Sequence, residues 1–172
     1  PRSFTSENHI SAGVPTADGK SLADARKLLR DGRLGLDDPA QKHLPELAGL
    51  KVFDSFDAKT GDYKLRPASR PATVRHFLTH TSGLAYPFTS EIWRDFKPRA
   101  SETYPYGGPL LFDPGERWHY STSTDVVGRL VEVMSGQKLE EYFRQHIPAP
   151  LRMDDTSYYV PEAIGPRLVA AQ

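Results

Sequence analysis

Between Tyr120 and Ile147 the chain reads YSTSTDVVGRLVEVMSGQKLEEYFRQHI, and this stretch constrains the fold more than any other. Val126, Val127, Leu130, Val131 and Met134 recur three and four residues apart, so a helix here buries one face. Asp125 favours the positive end of that helix, and Ser135-Gly136 stop it. A second helix is predicted from about Leu139, with Tyr142, Phe143 and Ile147 on one side. Two helices joined by a short glycine turn should pack as an antiparallel or angled pair.

Upstream, the pattern is of short elements and many turns. Residues 1–20 are polar and lack periodicity, and read as irregular. Ser21 opens a helix, SLADARKLLRDG, in which Leu22, Ala25, Leu28 and Leu29 hold helical spacing and Gly32 ends the run. LGLDDPAQKHLPEL reads as a turn followed by a short helical or irregular stretch. KVFDSFDAKTGDYKLRP reads as a hairpin, with Val52, Phe53 and Phe56 in one arm, Tyr63 and Leu65 in the other, and Gly61-Asp62 in the turn. Thr73 is placed to cap a short helix, VRHFLTH, before a break at Ser82-Gly83. Residues 85–117 carry prolines, glycines and aromatics and read as a surface or site-lining loop, with Tyr86, Trp93, Tyr104 and Tyr106 as candidate cleft residues.

Bulk properties narrow the function classes. A length of 172 residues suits one domain with a real core. Lysine plus arginine equal aspartate plus glutamate at 22 each, which argues against a nucleic-acid or anionic-membrane partner. No apolar run approaches a membrane span, and the first twenty residues contain no secretion signal, which leaves the compartment open. The chain has no cysteine, so disulfides, thiolate metal sites and a cysteine nucleophile are excluded together.

Chemistry has few other candidates. His76 and His80 stand four apart, a metal-ligand spacing, but Phe-Leu-Thr between them offers no third ligand or base, so no metal is expected. His80 reads instead as a hydrogen-bonding residue shaping the HTSGL turn. There is no GxSxG elbow and no phosphate loop. The literal S-x-x-K, SGQK at 135–138, lies in a helix-ending turn and reads as coincidence. Ser121 to Thr124 read as helix N-caps, and Tyr120 on packing grounds alone reads as an aromatic anchor.

Four segments in order then carry a resemblance: LRDGRLGLDDPAQKHLPEL, TVRHFLTHTSGL, FDPGERWHYSTSTDVVGRLVEVMSGQ and HIPAPLRMDDTSYYVP. Together they resemble the serine β-lactamase-like family, which takes in class C β-lactamases, penicillin-binding peptidases and family VIII carboxylesterases. The likeness runs from about residue 22 to the C-terminus, and YSTSTDVVGRL leans towards the esterase branch. It implies an α+β fold of the β-lactamase/penicillin-binding-protein type, with 1–20 irregular and 21–172 a partial domain. This chain would be mainly the helical region of a larger enzyme, without the remaining sheet strands and their K-T-G-like motif.

The resemblance also implies a mechanism. A serine hydroxyl attacks a carboxylic ester, or a β-lactam, and forms an acyl-enzyme, with Tyr120 as proton relay and no cofactor. Thr122 falls at the family's following polar position and is the candidate substrate-binding residue. The partner would be a small-molecule ester or lactam, and oligomeric state is left open. A phenol ionises near pH 10, so a base near neutrality needs that value lowered by about two or three. A helix terminus gives about 0.3–1 kcal/mol, whereas a lysine ammonium at ~4 Å gives about 4 kcal/mol at an effective dielectric near 20. A lysine must therefore help. Counting back from LDDP puts the expected serine on Pro15 and the lysine on Asp18, and an alternative register through SFTS puts Arg2 at the lysine position. Neither completes an S-x-x-K, so the nucleophile is unassigned and a catalytically silent binding or scaffold domain of the same fold is the competing expectation.

Overall fold

The computed structural model describes residues 35–159. The helix expected from Ser21, the irregular 1–20 segment and the positions Arg2, Pro15 and Asp18 lie outside them. Two 3-10 turns, Ala40–Lys42 and Pro45–Leu47, begin the described fold and bury Ala40, Leu44 and Leu47.

The expected hairpin follows. Strand β1 (Lys51–Phe56) pairs antiparallel with β2 (Tyr63–Pro67), with an irregularity between Phe53 and Ser55. Its turn is built locally, since the Asp57 carboxylate accepts from the Lys59 amide at 2.8 Å and Gly61 takes φ +77°. Phe53 meets Phe56, Tyr63 and Phe96 edge-on at 5.3–6.2 Å, which seals one face of the hairpin. Arg66 makes a two-pronged pair with Asp113, and the Ser69 amide donates to the same carboxylate at 2.7 Å. Those contacts, the Arg66 guanidinium first, hold the Asp113 carboxyl down at about 2.

Helix α1 (Val74–Leu78) begins as expected at Thr73, with an unusual capping box. His76 takes the place of the customary carboxylate, its Nδ1 accepting from the Thr73 amide at 3.1 Å. Helix α2 (Glu91–Asp95) is capped by Ser90 and corrects the loop reading of 85–117. Trp93 is buried and donates its indole N–H to the Pro109 carbonyl at 2.8 Å, so it is a core residue rather than a cleft residue. Gly107 and Gly108 lie against its ring, where a β-carbon would come within 2.9 and 3.2 Å.

Helix α3 (Ser123–Ser135) buries Val126, Leu130 and Met134 and ends with Gly136 in the left-handed region at φ +68°. Ser135 closes that end, accepting from the Gln137 amide at 3.2 Å. SGQK is thus a helix stop. Helix α4 (Leu139–His146) meets α3 where Leu139 lies on Gly128, whose added β-carbon would come within 2.9 Å. The expected apolar side of α4 is less covered than its pattern suggests. None of its residues is fully buried, Tyr142 stacks on His146 at 4.2 Å, and Ile147 is exposed. No helix among the described residues is long and apolar enough to cross a membrane.

The segment after Pro109 ties these pieces together. Leu110 runs beside β1, exchanging backbone hydrogen bonds with Lys51 and Phe53 at 2.8 and 2.9 Å. It then laces to the HTSGL turn: Leu111 donates to the Gly83 carbonyl, Gly115 to Thr81 and His119 to His80, at 2.7–2.8 Å. Gly83 adopts φ +92°, and a β-carbon there would stand 2.3 Å from the Phe112 carbonyl oxygen. No side chain fits. Gly61 is also left-handed but faces open space. Gly61→Ala should therefore cost only about 1 kcal/mol, whereas Gly83→Ala should cost about 3 kcal/mol or more, read as urea midpoints of the two variants.

Candidate active site

Tyr120 lies where the laced segment turns into α3. The Thr89 hydroxyl lies 3.2 Å from its carbonyl and 3.0 Å from that of Tyr86, and two residues on, the Thr122 amide faces the Ala85 carbonyl at 3.5 Å. The residue is 46% exposed, and its ring meets His80 at a centroid distance of 4.9 Å and Tyr86 at 5.6 Å. No hydrogen bond holds the Tyr120 hydroxyl among the described residues.

Tyr86 and Tyr106 are committed elsewhere. Tyr86 donates to the Asp125 carboxylate at 3.3 Å, and burial with that negative charge pushes its phenol up to about 12. Tyr106 donates to Glu46 at 3.4 Å, and burial raises its phenol further. Tyr104 packs beside Phe96 with its hydroxyl buried and without a hydrogen-bond partner among the described residues, and burial with the nearby Glu102 carboxylate pushes it up to about 12. These phenols stay protonated across the neutral range. Of Tyr86, Tyr104, Tyr106 and Tyr120, only Tyr120 is an exposed residue, and its hydroxyl has no hydrogen-bond partner among the described residues.

The hydroxyl run after Tyr120 does not cap the helix as expected. Thr122 occupies the N-cap position without a side-chain cap bond. Its hydroxyl instead donates to the Tyr106 carbonyl at 3.2 Å, holding a residue that is itself left-handed at φ +60°. Ser121 and Ser123 turn inward and are fully buried with Ser82. Their oxygens form a chain, Ser82 to Ser123 at 2.8 Å and Ser123 to Ser121 at 2.7 Å, ending at His80 Nδ1 at 3.4 Å. The sequence reading of His80 as a shaper of its turn holds, since it adopts φ +54° and accepts from His119. The serine chain escaped that reading because its members lie about forty positions apart.

His76 and His80 serve different partners, the Thr73 amide and Ser121. Among the described residues no group of three histidines or acids is placed to hold a metal. An outward phenol at a helix mouth, flanked by an imidazole, suits proton transfer to a group brought in from outside the described residues.

The family model described as Beta-lactamase matches residues 25–172. The chain belongs to the Beta-lactamase family. Acyltransferase mokF from Monascus pilosus is 35% identical over 154 residues, covering 80% of this chain and 37% of that protein. Lovastatin esterase from Penicillium rubens is 35% identical over 158 residues, covering 80% of this chain and 39% of that protein. Simvastatin synthase from Aspergillus terreus, the LovD6 mutant, superposes with a TM-score of 0.62 at 36% identity, over 74% of this chain and 32% of that one. This Beta-lactamase family chain thus spans 32–39% of the length of these relatives, which include an acyltransferase and an esterase. Its fold is the expected α+β class of β-lactamases and penicillin-binding proteins, the described residues holding the helices and one two-stranded sheet.

The Thr122 contact is directly testable. Thr122→Val, which keeps the shape and loses the donor to Tyr106, should lower stability by about 1 kcal/mol by urea denaturation, while Thr122→Ser should recover most of it.

Proposed function

We propose that the chain is the tyrosine-bearing part of a serine acyl-transferring enzyme acting on carboxylic esters of small molecules. The observation that carries the reading is Tyr120, exposed at the mouth of α3 with an unbonded hydroxyl while Tyr86 and Tyr106 beside it donate to carboxylates. A serine hydroxyl contributed from outside the described residues attacks the ester carbonyl and passes its proton to Tyr120, working with a lysine. Collapse of the tetrahedral intermediate breaks the ester bond, and Tyr120 returns the proton to the departing alcohol. The acyl group is left on serine.

The second half repeats the step with a new acceptor. Tyr120 takes a proton from water, giving hydrolysis, or from an alcohol, giving acyl transfer, and hands it back to the serine as the acyl group leaves. Both outcomes use one site, in keeping with relatives named as an esterase and as acyltransferases. Thr122 contributes from the same edge, bordering substrate while its hydroxyl holds the Tyr106 turn in place. A β-lactam presents the same carbonyl chemistry and is a secondary substrate class.

Intact-mass measurement with a fluorophosphonate tests this on the protein made from its complete coding sequence. One stoichiometric adduct on a serine is expected, and Tyr120→Phe should slow its formation by about a hundredfold or more. A protein that stays unmodified is a silent binding domain, and the reading fails.

A further inference from the structure

We infer that His80 is a positioning residue for Tyr120, its tautomer and ring orientation set by the buried serine chain beneath it. The inference rests on Tyr120 being the proton-transfer group.

The argument begins with counting hydrogens. Ser82, Ser121 and Ser123 are each fully buried, and each hydroxyl has one hydrogen to place. Two of the oxygens already accept from the backbone, Ser82 from the Leu84 amide at 3.2 Å and Ser121 from the Ser123 amide at 3.3 Å. The chain can run in two directions. Run from Ser82 to Ser123 to Ser121 to His80, every hydroxyl hydrogen finds an acceptor, the last on the imidazole Nδ1. Run the other way, the Ser82 hydrogen is left with no acceptor among the described residues. A buried donor without an acceptor is costly, so the first direction wins. It makes Nδ1 the acceptor and leaves the ring proton on Nε2.

The ring so oriented is a support for Tyr120. His80 is one of few non-glycine residues in the left-handed region, at φ +54°, a conformation that the surrounding backbone bonds impose. From that position its ring reaches the buried Ser121 through Nδ1 and meets the rings of Tyr120, at 4.9 Å, and Trp118, at 6.4 Å, both on exposed residues. Tyr86 flanks Tyr120 with its own phenol tied to Asp125. A phenol with no hydrogen bond of its own has its direction set by these two rings. Of the pair, only His80 is keyed to a buried network that admits one arrangement.

Two variants separate positioning from simple stability. Ser121→Ala cuts the chain below His80. His80→Asn keeps a residue tolerant of positive φ and an acceptor for Ser121, and removes only the ring. In protein from the complete coding sequence, with p-nitrophenyl butyrate as probe, each should lower kcat by about ten- to a hundredfold with KM changed less than about twofold. In the Tyr120→Phe background neither should lower kcat further, because the support then has nothing to aim. Equal losses in both backgrounds would overturn the inference.

Imidazole 15N chemical shifts supply a readout that needs no activity. His80 should carry its proton on Nε2 when neutral, and Ser121→Ala should abolish that preference. A proton on Nδ1 would also overturn the inference. If Tyr120→Phe alone leaves kcat unchanged, the functional reading of Tyr120 fails and the positioning role falls with it, whereas the spectrum still decides the tautomer separately.

Discussion

The approach of Gly83 to the Phe112 carbonyl, close enough to exclude any β-carbon, governs how the rest of this molecule is put together. Through it the HTSGL turn and the segment after Pro109 share a run of backbone hydrogen bonds from Leu111 to His119. Leu110, at the head of that run, is also bonded to β1, and Ser121 and Ser123, at its end, lead into α3. One lace thus connects the hairpin, α1 and α3. Phe77, Leu84, Leu110 and Val126 are buried along it. A change that opened the lace would move the hairpin and the mouth of α3 together.

The same arrangement divides polar groups by task. Inward-facing hydroxyls pair with one another and with His80, which meets the rule that buried polar groups must be bonded. Tyr86 and Tyr106 are bonded to carboxylates and held protonated, and Thr122 supports the backbone. Tyr120 alone at this edge combines flanking rings of His80 and Tyr86 with a hydroxyl without a partner among the described residues. A ring held by its neighbours with an uncommitted hydroxyl is what proton transfer in acyl chemistry asks of a phenol.

What the sequence revealed and what it hid follow from distance along the chain. Helix α3 was legible because Val126, Leu130 and Met134 repeat within one element, and the hairpin because Gly61 and flanking aromatics act locally. The family resemblance spanning most of the chain is borne out by the family match, and the role it implies for Tyr120 is part of the proposed function. Trp93 was misplaced because its burial depends on Pro109, sixteen positions on, within a stretch whose composition reads as surface. The serine chain was missed for the same reason, since Ser82 meets Ser123 only after folding. Helix α4 shows the opposite failure, an apolar pattern whose side chains stay partly uncovered among the described residues.

A crystal structure of the phosphonylated protein, made from the complete coding sequence, tests the central claim most directly. The account predicts the Tyr120 hydroxyl within about 2.6–3.2 Å of the modified serine's oxygen or of the phosphonyl oxygen that mimics the leaving group. A Tyr120 hydroxyl turned away from the adduct, with another side chain in its place, would contradict it.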